Sequence, residues 1–237
     1  GPVVSGLTND YFRAEVGGEP ADIVGGGYIQ EQYWLLIQAP TLSDGVYDLE
    51  ITLQEPGGAA LDSDTNTDSV VYTTSLTDQV LIIDRSGSMS MGDPMRLLAA
   101  KDAAAFYVDV TRDNDGLAIV PYNQDVSPAP YDIRSVNDTV RAAAKTFINA
   151  LTASGMTSIG DGLKEAVNQI RSSETGNGIC SLVLLSDGME NTDAFWADVK
   201  TEVIDLGCPV TTIAFGPETD ETLMQSIASE TGGLYFY

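Results

Sequence analysis

Residues 79–88 run Gln79-Val80-Leu81-Ile82-Ile83-Asp84-Arg85-Ser86-Gly87-Ser88, a branched aliphatic stretch that changes abruptly to a carboxylate and a glycine-containing polar turn. A short apolar run bounded by a turn signal reads as a strand buried on both faces. Downstream the pattern alternates. A helix is predicted over 94–111, entered through Pro94 and closed by Asp113-Asn114-Asp115-Gly116. Strands follow over 117–122, 181–187 and 211–216, with a short edge strand within 126–133 and a last strand in Leu234-Tyr235-Phe236-Tyr237. Further helices fall over 136–151, 159–171, 195–206 and 221–230. Strands interleaved with helices imply an α/β domain over 79–237, a doubly wound and mostly parallel sheet covered on both faces. Ligands of such sheets bind beyond the carboxyl ends of the strands, at the switch point of the strand order.

Upstream the composition differs. Residues 1–79 carry 13 acids and a single base, Arg13, whereas residues 80–237 carry 22 acids and 10 bases. β-rich runs at 33–39, 46–53 and 69–74, punctuated by Pro40, Asp44-Gly45 and Pro56-Gly57-Gly58, predict a small sandwich-like unit of four to five strands over 1–78. The 237 residues allow one or two domains at roughly 150 residues each. Residues 1–7 lack the basic flank and apolar stretch of a secretory leader, and no apolar run reaches the roughly 18 residues of a spanning helix.

A formal net charge of −24 repels phosphate backbones and anionic membrane surfaces, so nucleic acid and lipid are poor partners, and it favours a soluble monomer. The chain contains no histidine. Ser-His-Asp and Cys-His nucleophiles, histidine general bases and His-ligated zinc are therefore excluded within it.

Three separated segments carry the remaining chemistry. Asp84, Ser86 and Ser88 end the first strand of the α/β unit; Gly155-Met156-Thr157-Ser158 opens a helix; Ser186-Asp187-Gly188 ends a later strand. Two carboxylates and three hydroxyls are thereby directed to one sheet edge. Such a hard-oxygen set suits Mg²⁺, which takes oxygen ligands at about 2.0–2.1 Å and keeps waters, with Mn²⁺ and Ca²⁺ as the other candidates. Alternate residues 84, 86 and 88 can face one ion because the turn curls around it. Neutral serine ligands leave the ion more of its charge, which attracts an acidic group from a partner.

The order Asp84-Arg85-Ser86-Gly87-Ser88-Met89, then Gly155-Met156-Thr157-Ser158, then Ser186-Asp187-Gly188 resembles the metal-ion-dependent adhesion site of von Willebrand factor type A domains, over about residues 79–237. All five ligand positions match. The resemblance implies the Rossmann-like fold of that family. It also implies that Ser86 and Ser88 bind the ion directly, Thr157 directly or through water, and Asp84 and Asp187 through waters, while a protein ligand supplies an Asp or Glu carboxylate. Within the family, residues 157–163 and 184–192 look like the calcium-activated chloride channel regulator group and its bacterial relatives. The acidic β unit is not that group's usual neighbour, and the group's metalloprotease domain is not in this sequence.

The expected function is thus a non-enzymatic, metal-dependent recognition or adhesion module, extracellular or on a cell surface by family resemblance. The alternative is a structural module of a larger assembly with a vestigial site. A phosphotransfer enzyme with Asp84 as nucleophile is disfavoured because such sites want a second Asp two residues on, where Ser86 stands. Taken singly, Asp84 reads as a turn former, Ser86 and Ser88 as helix caps, and Thr157 as an N-cap; only their conjunction points to a site. Glu190 lies near enough in sequence to shape its rim.

Other signals are weaker. Cys180 and Cys208 precede apolar runs and could be bonded or could be free buried thiols. Residues 62–68 space oxygens like the start of a calcium loop, but Thr67 and Thr73 replace its turn glycine and bidentate acid, so a solvated loop is expected. Asn137-Asp138-Thr139 fits a glycosylation acceptor, and Met89, Met91 and Met95 read as gap fillers or as adaptable contact residues.

Overall fold

A computed structural model of the chain describes residues 6–29, 32–72, 75–92, 95–187, 189–216 and 219–237. The predicted helix entry at Pro94, the motif glycine Gly188 and the calcium-loop position Thr73 lie outside the described residues. The chain divides into two compact units, Gly1–Thr74 and Ser75–Tyr237. Thr77 already donates its amide to Asp115 Oδ1 at 2.9 Å, which ties the start of the first α/β strand to the second unit.

In the first unit, β1 (Phe12–Val16), β2 (Glu19–Ile29), β3 (Gln32–Gln38), β4 (Gly45–Gln54) and β5 (Ala60–Tyr72) form one five-stranded sheet in the order β3-β2-β1-β4-β5. Every pairing is antiparallel. The sandwich-like unit expected from the sequence is thus a single sheet. Its core is small: Ala14, Val16 and Ala21 are buried, with Ile37, Tyr47, Leu49 and Ile51 packed against them. The segment 62–68, expected to be a solvated loop, is a correction: it lies inside β5, whose residues are exposed for most of its length. The alternation of Asp62, Asp64, Asn66 and Asp68 with small polar residues supplies no apolar face. As an edge strand lined with charge, it resists pairing with another sheet.

The second unit is a six-stranded sheet in the order β11-β10-β9-β6-β7-β8. It is built from β6 (Thr77–Asp84), β7 (Gly116–Tyr122), β8 (Tyr131–Ser135), β9 (Ile179–Ser186), β10 (Val210–Ala214) and β11 (Tyr235–Phe236). All neighbours are parallel except β7 and β8. Among the described residues, the α-helices that connect them are α1 (Arg96–Val110), α2 (Asp138–Ala150), α3 (Ile159–Arg171), α4 (Trp196–Leu206) and α5 (Glu221–Thr231).

Side-chain alternation along the buried strands divides the core in two. Val80 and Ile82 of β6 join Val120, Leu182 and Leu184 against Leu163 of α3 and Val203 of α4. Leu81 and Ile83 face the other way, with Ile119 and Leu185, against Ala100 and Ala104 of α1 and Ile148 of α2. Burying each such Leu or Ile is worth roughly 1.5–3 kcal/mol. The result is the expected doubly wound α/β unit.

Local signals set the helix ends. Asn137, read as a glycosylation acceptor, caps α2 by accepting from the Val140 amide at 3.0 Å, and Asp220 caps α5 through Leu223 at 3.0 Å. Gly207 and Gly232 end α4 and α5 in the left-handed conformation that glycine adopts without steric cost. Cys180 and Cys208, left open by the sequence, form a disulfide that closes a 28-residue separation between the starts of neighbouring strands β9 and β10.

Candidate functional site

From β6 the chain crosses through α1 to β7 on one side, then returns to β9 on the other, so the strand order switches beside β6. β6 and β9 are adjacent and parallel, with Ile83 opposite Leu185. Their carboxyl ends carry Asp84 and Ser186-Asp187. The switch point therefore gathers the predicted residues for a topological reason.

Asp84 is completely buried. Its Oδ1 accepts from the Ser86 amide at 2.8 Å and its Oδ2 from Ser186 Oγ at 2.6 Å. After Asp84 the chain turns into a single 3-10 turn over Gly87–Ser90. That turn brings Ser86 Oγ within 3.0 Å of Ser88 Oγ, and Ser88 Oγ donates to Asp187 Oδ1 at 2.8 Å. Asp84, Ser86, Ser88 and Asp187 are thus joined in one hydrogen-bonded chain across two strands, with the Ser86 amide making the link to Asp84.

Thr157 is brought to the same edge by backbone contacts. The Gly87 amide donates to the Gly155 carbonyl at 2.9 Å, and Ser154 donates to the Arg85 carbonyl at 2.8 Å. Thr157 is buried, and its amide and carbonyl both pair with Asn191, on the loop after β9, at 2.9 and 3.0 Å. The helix cap is Ser158, whose Oγ accepts from Asp161 at 3.3 Å, so α3 does not use the Thr157 hydroxyl as its cap. The alternative reading of Thr157 as that cap is thereby removed.

Several supporting residues escaped the sequence reading. Arg85 is buried and donates to the carbonyls of Ser127 and Thr152 and to Ser154 Oγ, tying the turn to two loops. Arg96, at the start of α1, donates to Asp187 Oδ2 at 2.7 Å. Asn191 and Ser186 hold Thr157 and Asp84. Nothing local in the sequence marks these partners, because each acts across a long chain separation. Glu190, read as a rim residue, instead accepts from the amides of Gly160 and Trp196 at 3.2 and 2.7 Å, joining the starts of α3 and α4.

The electrostatics follow from burial. Desolvation pushes the Asp84 carboxyl up to about 6, against the lowering effect of its hydrogen bonds, and the nearby Asp187 charge adds to the rise. Glu190 is pushed to about 7, chiefly by burial, with Asp198 and Asp220 contributing. Among the described residues no group of three or more Asp, Glu, Cys or His side chains is placed to hold a metal ion. The donors at this edge are two carboxylates and three hydroxyls. That chemistry fits a hard divalent cation, whose charge would relieve the cost of burying Asp84 ionised.

Comparison with known proteins agrees with this architecture. The chain is 31% identical over 162 residues to calcium-activated chloride channel regulator 3A-1 of Mus musculus, covering 66% of this chain and 17% of that protein. It is 28% identical over 164 residues to the uncharacterized protein YfbK of Escherichia coli (strain K12), covering 67% and 28% respectively. The chain therefore spans about a sixth of the chloride channel regulator it matches. In fold, it is similar to a solved von Willebrand factor type A structure from Catenulispora acidiphila, with a TM-score of 0.60 and 24% identity over 83% of this chain and 43% of that one. Residues 78–237 match the von Willebrand factor type A domain family, and the chain belongs to it.

Proposed function

We propose that the second unit is a metal-dependent, non-enzymatic protein-recognition module whose partner contributes an Asp or Glu carboxylate. The observation that supports this reading is the hydrogen-bonded set Asp84, Ser86, Ser88 and Asp187 at the switch point, with the backbone of the loop that carries Thr157 bonded to the same turn. Ser86, Ser88 and Thr157 would hold Mg²⁺ through their hydroxyls, and Asp84 and Asp187 would balance its charge. Bound there, the ion supplies a positive centre for a carboxylate oxygen.

The chain's own residues do the rest. Arg85 and Asn191 keep the loops in place, so little ordering is required when a partner arrives. The serines add no charge, which leaves the centre attractive to an acid despite the net −24 of the chain. A recognition role agrees with the family, and the disulfide supports an oxidising, extracellular or cell-surface setting.

The test is thermal unfolding and calorimetric titration with Mg²⁺, Mn²⁺ and Ca²⁺ after chelation, for the native chain, Asp84→Ala and Ser86→Ala. A ligand at 100 times its dissociation constant adds about 2.7 kcal/mol. Stabilisation of the native chain that is lost in both variants supports the reading. Failure of the native chain to bind any of the three ions overturns it in favour of a structural module.

A further inference from the structure

Next to the Gly87–Ser90 turn lies an apolar groove of about 310 Å³, lined chiefly by Met95, Leu97, Leu98, Leu151 and Ala153, with Lys101 its charged member. This volume is at the lower end of the roughly 300–1,000 Å³ typical of ligand pockets, which suits a large side chain better than a whole ligand.

The groove and the donor set share their supports. Ser90, which also lines the groove, closes the Gly87–Ser90 turn that contains Ser88. Ala153 precedes Ser154 and Gly155, whose backbone bonds to Arg85 and Gly87 fix the Thr157 loop. The two features are therefore built on the same turn and the same loop.

The surface here is unusually apolar for such an acidic chain. Met95 and Leu98 are about half exposed, at 50% and 47%. Met91, Met156 and Met189 are likewise exposed, one on each of the segments that bear the donors. Singly exposed apolar residues need no explanation, but a group of them around one site marks an interaction surface, and methionine adapts to varied partners. Met89, by contrast, is fully buried and is the gap filler of the set. Lys101, whose Nζ donates to the Asn149 carbonyl at 2.9 Å, is one of only 11 basic residues and gives the groove a charge complementary to an acidic segment.

We infer that the groove receives an apolar side chain from the same partner segment whose carboxylate enters the donor set. The inference rests on the recognition function proposed above. The partner is an extended acidic segment with a large apolar residue one or two positions from its Asp or Glu. The spacing follows from reach: Ser88 and Ser90 are two residues apart, hence no more than about 7 Å, which two residues of extended chain also cover.

The probe is a display library of short peptides with a fixed central Glu and randomised flanks, selected against the full chain in Mg²⁺ and in chelator. Selected peptides are then titrated against the native chain, Leu98→Asp, Met95→Ser and Ser86→Ala, with Mg²⁺ binding measured for each. Leu98 and Met95 are exposed enough for these changes to leave the fold intact, and circular dichroism checks this. The expected result is enrichment of Leu, Ile, Met or Phe within two positions of the Glu. Leu98→Asp should then weaken those peptides by about tenfold or more, as loss of one buried apolar side chain implies, with Mg²⁺ binding unchanged. Mg²⁺-dependent binding that shows no apolar preference, or that Leu98→Asp leaves unchanged, overturns the groove while leaving the carboxylate reading intact. Absence of any Mg²⁺-dependent binding to acidic peptides overturns both.

Discussion

Arg96 and Asp187 form an ion pair of 2.7 Å in which the aspartate side chain is wholly buried and the arginine side chain is only 11% exposed. The same carboxylate receives Ser88 Oγ on its other oxygen. A permanent positive charge thus stands at the edge of the proposed cation site. It compensates Asp187 in the absence of metal and opposes a second cation when metal enters.

Arg96→Gln should therefore act in opposite directions on two observables. Without metal the variant loses roughly 3 kcal/mol, because a buried carboxylate is left uncompensated. Its Mg²⁺ affinity rises on the order of tenfold or more, because a like charge within a few ångströms is gone. Thermal unfolding with and without Mg²⁺ reads both: the metal-induced rise in Tm should be larger in the variant. Equal rises would show that Arg96 does not influence the site.

Ser186→Ala removes the hydroxyl that donates to the buried Asp84 Oδ2. A buried acceptor left without that donor costs about 1–3 kcal/mol. Urea unfolding in chelator should show this loss, and added Mg²⁺ should recover part of it. An unchanged midpoint would mean that the hydrogen bond contributes nothing net.

Gly160 lies in the first turn of α3, where an added Cβ would come within 2.4 Å of the Ala194 carbonyl oxygen, a backbone atom unable to swing aside. Gly160→Ala must displace either the helix start or the loop carrying Asn191, whose side chain holds Thr157. We expect a loss of about 1–3 kcal/mol from overpacking together with weakened Mg²⁺ binding. Asn191→Ala should weaken Mg²⁺ binding with a smaller stability loss, and calorimetry on the two variants separates the effects.

The Glu190 carboxyl has a folded-state value near 7, above its ordinary 4.5, because burial disfavours its charge. The folded state thus holds this proton more tightly than the unfolded state between about pH 4.5 and 7, so this group lowers stability as pH rises through that window. Glu190→Gln keeps an acceptor for the Gly160 and Trp196 amides without the charge. It should be more stable than the native chain at pH 8, by on the order of 1 kcal/mol once solvent screening is discounted, with the gap closing by about pH 5. Chemical denaturation across that range checks the sign. A gap that widens on acidification would contradict it.

Reduction of the Cys180–Cys208 bond, or Cys180→Ser with Cys208→Ser, should cost about 3–4 kcal/mol for a loop of 28 residues by the chain-entropy account. Guanidinium unfolding with and without reductant measures it. Because the bond lies at the amino ends of β9 and β10, opposite the donor set, Mg²⁺ affinity of the folded protein should not change.

Much of the second unit was legible because local signals and tertiary packing agree there. Residues 79–84 are apolar on both sides because β6 is central, and the helix over 159–171 coincides with α3 because Ser158 caps it locally. The first unit was less legible. β1 and β2 went unread, since Phe12–Val16 and Glu19–Ile29 mix charge, proline and glycine with few apolar positions. Residues 62–68 of β5 read as a loop in the sequence because an edge strand needs no apolar face.

The sequence by itself determined the alternating α/β order, the five oxygen-bearing residues and the exclusion of histidine chemistry, since these depend on residue type and local pattern. Only the tertiary structure decided that Ser88 binds Asp187, that Arg96 neutralises Asp187, that Asn191 fixes Thr157 and that Cys180 bonds Cys208. Each of those pairs joins residues at least 28 positions apart. Such partners are chosen by strand order and packing, and no local propensity encodes them.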